Sequence, residues 1–391
     1  MRYALLAAAA IAVLLTPRSV TAADPFEINV ILSMTGQGTF VGTGQWQSIQ
    51  IAEGAINRRG GIGGRPVKFV LKDDQSNPQV DLQLVQGFIA NKVAVILGPT
   101  LTGSCNAVSP ILQREGPVAY CLTPGVNPAK GGYVFTTLTS TADLIAVGMR
   151  YFRNRGWKKM AYLVTTDASG QEAEQGILAA AALPENRTLS IVGREHFATG
   201  DISIAAQLSK IKAADPDVLL AWVTGAAAGS VLRGIHDAGM TLPTLVSAGN
   251  LTASFTKQFG PLLNDNMYVP AMAFYGGSAS VSAPTRNAMN LLATSFRAAA
   301  AAPDQVAISA WDPTMRVVDA LRAVGVDAPA SKVRDAIIST KGWVGVNGPY
   351  DYQAIPQRGI GQDGVLMVRW DTARAEFVPL SGLGGRPLRS K

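Results

Sequence analysis

Hydroxyl, amide and glycine residues cluster wherever a short apolar run of this chain ends. After Leu32 come Ser33-Met34-Thr35-Gly36-Gln37-Gly38-Thr39-Phe40-Val41-Gly42-Thr43-Gly44, and after Leu97 come Gly98-Pro99-Thr100-Leu101-Thr102-Gly103-Ser104. Thr123-Pro124-Gly125-Val126-Asn127 follow Leu122, and Asp167-Ala168-Ser169-Gly170, Thr224-Gly225-Ala226 and Ala248-Gly249-Asn250 repeat the pattern further on. Side chains of this kind bind rather than break bonds. At a helix start their neighbouring N–H groups, aided by the helix dipole, can hold an anion. A carboxylate held by Thr102 and the N–H groups after it is one reading; N-capping of the following helices, about 1 kcal/mol each, is the other. Phe40 and Trp46 flank the first Gly-rich stretch and Trp222 ends a later apolar run. Each ring is a candidate either for ligand contact or for core packing.

Catalytic patterns are missing. The chain has no G-x-S-x-G elbow, no H-E-x-x-H and no C-x-x-C. His196 and His236 stand alone in sequence, without the partners a general base requires. Gly36-x-Gly38-x-x-x-Gly42, with Asp73 and Asp74 further on, superficially resembles a dinucleotide fingerprint. A Rossmann turn instead opens G-x-G-x-x-G directly into its helix, whereas about a dozen loop residues are expected here. No catalytic residue, cofactor or metal site is therefore expected. Cys105 and Cys121, sixteen positions apart, are either a disulfide or two reduced, buried thiols.

These loops need elements to position them. The 391 residues are 48% hydrophobic and 16% charged, which excludes a disordered chain. The net charge of +7 comes without a dense Lys/Arg run and gives no argument for nucleic acid as a partner. Met1-Arg2, the uncharged Tyr3–Leu15 run and Val20-Thr21-Ala22 read as a signal peptide, residues 1–23, cleaved after Ala22 or Ala23. Thirteen apolar residues are too few to span a bilayer. From Phe26 to Leu122, short apolar runs alternate with helical patterns, and the alternation restarts at Ala142 and runs to Val246. Two such series predict an α/β protein of two doubly wound lobes with parallel sheets. The helical tail from Ala283, and the short strands after it, should complete the lobes by crossing between them.

Met34-Thr35-Gly36, the turn Asn57-Arg58-Arg59-Gly60-Gly61-Ile62-Gly63-Gly64-Arg65, Asp73-Asp74, Gly98-Pro99 through Ser104, Glu115-Gly116-Pro117, Leu232-Arg233 with Ala238-Gly239, and Gly348-Pro349-Tyr350 extend over nearly the whole chain. Together they resemble the periplasmic leucine/isoleucine/valine-binding family. The resemblance implies a type I periplasmic binding fold: two Rossmann-like lobes joined by hinge crossings, with 24–137 and 273–343 in the first and 138–272 and 344–391 in the second. It implies a monomeric periplasmic substrate-binding protein that encloses a small carboxylate-bearing solute and delivers it to a membrane ABC permease. The ligand would be a branched-chain amino acid or related solute, or alternatively an aromatic or aliphatic acid; a ligand-sensing regulator of the same fold is a further alternative. The family's carboxylate and ammonium positions fall on Thr102, Gly125 and Asn127. In the second lobe its positions fall on Ser169, Thr224 and Gly249 or Asn250, where no acidic residue faces an ammonium.

Overall fold

The computed structural model describes residues 24–277 and 281–388; the expected signal peptide lies outside them. The first series runs β1 (Phe26–Leu32), α1 (Thr39–Arg58), β2 (Val67–Asp73), α2 (Pro78–Ala90), β3 (Val95–Leu97), α3 (Thr102–Glu115), β4 (Val118–Tyr120) and β5 (Val134–Phe135). The second runs α4 (Thr141–Asn154), β6 (Lys159–Thr165), α5 (Ala168–Ala181), β7 (Ser190–Phe197), α6 (Ala205–Ala213), β8 (Val218–Trp222), α7 (Ala226–Asp237), β9 (Thr244–Val246), α8 (Ala253–Phe259) and β10 (Met267–Met272). The tail comprises α9 (Ala283–Ala298), α10 (Gln305–Val324), α11 (Ala330–Ile338), β11 (Lys341–Gly345), β12 (Gly348–Asp351), β13 (Val365–Asp371) and β14 (Glu376–Pro379).

Two large sheets result. The first, in the order β2-β1-β3-β4-β5, is parallel throughout. The second has the order β14-β13-β10-β9-β8-β6-β7, with β13 and β14 added antiparallel to one edge. β3, β4 and β8 are buried at every residue, because helices cover both sheet faces. That is why these strands are continuous apolar runs. Pro78 starts α2 at a position that needs no N–H donor, behind Asn77, whose side chain caps Gln79 N.

Two details depart from expectation, and a third decides between open alternatives. α1 begins at Thr39, not near Trp46, so only Ser33–Gly38 separate it from β1. The glycines there serve packing: a Cβ on Gly42 would lie 2.1 Å from the Ser33 carbonyl oxygen. The long loop invoked against a dinucleotide turn therefore does not exist, although the Gly36/Gly38/Gly42 spacing still differs from that motif. The third crossing falls later than residue 344. Val346, Tyr350, Tyr352 and Ile360 are buried in the first core, and the chain rejoins the second sheet at Val365. Asp312 of α10 fixes that hairpin by accepting from Val346 N at 2.9 Å and Tyr350 OH at 2.8 Å. Lastly, Cys105 and Cys121 are bonded, with Cα atoms 6.1 Å apart, tying α3 to the end of β4.

Candidate ligand-binding cleft

In a parallel sheet flanked by helices, ligands gather outside the carboxyl ends of the strands, where helix N-termini converge. Here the carboxyl ends of both sheets border one cavity of about 400 Å³. The first lobe supplies Gln37, Phe40 and Val41 after β1, Thr100–Ser104 after β3 and Leu122–Pro124 after β4. The second supplies Asp167–Ser169 after β6, Thr199 after β7, Thr224–Ala227 after β8 and Ser247–Gly249 after β9. Leu138, Leu144, Met272, Gln305, Val306 and Ser309 come from the crossings and their flanking helices.

The polar wall is built from helix starts. Thr102 is buried as the first residue of α3, and its Oγ1 lies 2.9 Å from Oγ1 of Thr123. The N-cap of α3 is Leu101, which has no capping side chain, so Thr102 does not cap its own helix and the first-turn N–H groups lack a side-chain acceptor. α7 likewise starts without a side-chain cap, at Gly225 with φ +65°. Thr224 Oγ1 meets Ser247 Oγ at 2.9 Å beside it. Behind the first-lobe wall, Thr100 Oγ1 donates to Gln45 Oε1 at 2.9 Å. Gln45 Nε2 in turn donates to the Leu122 carbonyl at 2.8 Å, which fixes the loops relative to α1.

Among the described residues, only one lining side chain, Asp167, carries a formal charge, and no Lys or Arg borders the cavity. Asp167 Oδ1 accepts from Thr165 Oγ1 at 2.7 Å and caps α5 through Gly170 N at 3.0 Å. Phe40, Val41, Leu101, Leu122, Leu138, Leu144, Trp222 and Val306 form the apolar remainder. The arrangement offers neutral donors at one wall, an apolar body site and a single carboxylate on the opposite lobe.

Of the residues expected from sequence, Thr102, Ser169, Thr224 and Phe40 come together here, as do Trp222 and Gly249. Four others do not line the cavity. Gly125 lies behind Thr102, where a Cβ would come within 2.5 Å of Thr102 Oγ1. Asn127 instead bridges the lobes, donating to Glu172 Oε1 at 2.9 Å. Asn250 is buried and turned inward: Nδ2 donates to the Val223 carbonyl at 2.7 Å, and Oδ1 accepts from Gly225 N at 3.1 Å. Trp46 packs on the first core. The expectation of an acid-free second-lobe wall is corrected by Asp167, which stood in a loop already singled out. Gln305 and Ser309 carried no signal, because they lie inside a helix far along the chain. His196 and His236 sit outside the cavity, beside Glu174 and Asp237.

Comparison with known families decides the kinship. The periplasmic binding protein model matches residues 25–375. This chain belongs to the periplasmic binding protein family. Among curated members, the Leu/Ile/Val-binding protein homolog 3 of Brucella melitensis is 25% identical over 57% of this chain and 61% of its own length. The chain spans about three fifths of the length of the curated relatives it matches (61% and 58%). Two solved solute-binding proteins share the fold. One is the Streptococcus pneumoniae branched-chain amino acid transporter substrate-binding protein LivJ, in complex with isoleucine. It is 19% identical with TM-score 0.76, covering 90% of this chain and 97% of that one. The other is an ABC transporter solute-binding protein from R. palustris in complex with benzoate. It is also 19% identical with TM-score 0.77, covering 94% and 98%.

Proposed function

We propose that the mature chain is an exported, monomeric solute receptor that closes on a small carboxylate with a compact apolar body and delivers it to a membrane ABC permease. One observation carries this reading: a cavity of about 400 Å³, walled by apolar side chains, has an open helix N-terminus at Thr102 and, among the described residues, no cationic side chain. Neutral N–H and O–H donors at a helix start can hold a carboxylate without a buried counter-charge. Benzoate in one structural neighbour and isoleucine in another mark the range that this fold encloses.

Asp167 favours a second reading, in which the ligand also carries an ammonium group. Its carboxylate is the lining group that could offset that charge, and a buried ammonium without such a partner is costly. A thermal-shift screen of leucine, isoleucine and valine beside benzoate and aliphatic acids tests the function. A ligand at 100 times its Kd adds about 2.7 kcal/mol of stability. Thr102→Val should abolish the shift for every responding ligand, and Asp167→Asn only for amino acids. Retention of binding in Thr102→Val would remove the carboxylate assignment.

A further inference from the structure

Behind the α3 wall lies a group of polar side chains that the cleft does not use. Ser33 follows β1, Asp74 follows β2, Asp81 sits in the first turn of α2, and Ser104 in the first turn of α3. All four are fully buried. Ser33 faces Asp74, Ser104 faces Asp81, and the two carboxyl groups face each other. Yet among the described residues five of their oxygens, Ser33 Oγ, Asp74 Oδ2, both Asp81 carboxyl oxygens and Ser104 Oγ, have no partner in good hydrogen-bond geometry. The remaining Asp74 oxygen accepts from Ser76 N at 2.7 Å. The other charged neighbour of the pair is a third acid, Asp73.

Two adjacent buried carboxylates without a cation cannot both stay ionised. A single proton resolves the arrangement. Shared between the carboxyl groups, it supplies the missing donor, and the serine hydroxyls, free to rotate, each donate to one acid. Ser104 also borders the cavity, one side chain from the donors next to Thr102. We infer that Asp74 and Asp81 form a proton-binding site that tunes the anion affinity of the α3 N-terminus. The site's charge and a carboxylate in the cleft then oppose one another, so the ligand enters more readily when the pair is protonated. Burial, with Asp74 alongside, pushes the Asp81 carboxyl up to about 7, which places the event near neutral pH. The coupling to the cleft rests on the carboxylate reading of the ligand; the proton site itself does not.

The first measurement therefore uses ligand-free protein. Melting temperatures of the native chain, Asp81→Asn and Asp74→Asn are recorded from about pH 4 to about pH 8. An acid whose folded pKa is raised binds more protons folded than unfolded, so native stability should fall relative to both variants as pH rises from about 4 to about 7. Either amide replaces the shared proton and should flatten the profile. Parallel profiles in all three proteins overturn the proton site. So does rescue of the native chain at high pH by Na⁺, Mg²⁺ or Ca²⁺ at constant ionic strength, which would assign a metal instead. The second measurement titrates benzoate and L-leucine into native and Asp81→Asn protein. Native affinity should weaken about fivefold between pH 6 and pH 8, with little change in the variant. Equal slopes overturn the coupling. Failure of both probes to bind at any pH overturns the cleft reading and the coupling with it, while the melting profiles still judge the proton site.

Discussion

Thr102 and Asn250 occupy equivalent places in sequence, polar residues just past a strand, yet they perform different work. Thr102 has a hydroxyl partner in Thr123 and a helix start beside it, so it borders the cavity. Asn250 has backbone partners within reach on two loops, and a buried amide is driven to use them. Sequence reasoning could place both residues near the cleft, but could not foresee which backbone groups would compete for each side chain. Asn250→Ala should leave Gly225 N and the Val223 carbonyl unpaired. The expected loss is about 2–6 kcal/mol of unfolding free energy in urea, at one to three per orphaned group. Ligand affinity should fall as well, because the loop carrying Thr224 is released. A loss under about 0.5 kcal/mol would show that the loop holds its shape without the amide.

At the scale of elements, the strands were legible where they are buried on both faces. β1, β8 and β9 end where the apolar runs end, at Leu32, Trp222 and Val246. The two-residue β5 left no pattern to read. α1 was the informative failure: its first turns are rich in glycine and threonine and look like a loop. The reason for those glycines is the closeness of Gly42 to the carbonyl of Ser33, a tertiary contact. α3 carries the open N-terminus of the site and is anchored by the Cys105–Cys121 disulfide. Replacing both cysteines by alanine should lower stability by about 3 kcal/mol in the chain-entropy treatment, read from denaturant midpoints. Because neither sulfur lines the cavity, ligand affinity should change little once the protein is folded.

Across the whole molecule, the lobes meet through a few side chains at the cleft rim and through buried groups at the crossings. Asn127 bonds Glu172 at 2.9 Å, and Thr199 donates to Gln37 at 3.4 Å. At the crossings, Arg358 donates to the carbonyls of Leu138 and Val126, and the Tyr350 hydroxyl oxygen, whose proton goes to Asp312, lies 3.1 Å from the Thr137 carbonyl. Burial lowers the Arg358 pKa to about 10, so the guanidinium remains charged at neutral pH. The rim contacts are exposed and contribute little to folding, but they exist only when the lobes face each other. Glu172→Ala should therefore speed ligand release about two- to fivefold in stopped-flow displacement, within the typical 0.2–1 kcal/mol of an exposed polar pair. Ligand-free melting temperature should stay unchanged. A lowered melting temperature with an unchanged release rate would mean that the bond supports a lobe rather than closure.

The sequence by itself determined the alternation of apolar runs and helices, the loops in which binding groups had to lie, and the family motifs that identify the fold. Those properties are local: a strand covered on both sides must be apolar along its length, and a helix start favours small polar residues. Only the tertiary structure decided that Asp167 borders the cavity, that Asn127 and Asn250 do not, and that residues up to Ile360 stay with the first core. Orientation toward a cavity is set by which distant backbone groups compete for each side chain, and that competition exists only once the lobes are assembled.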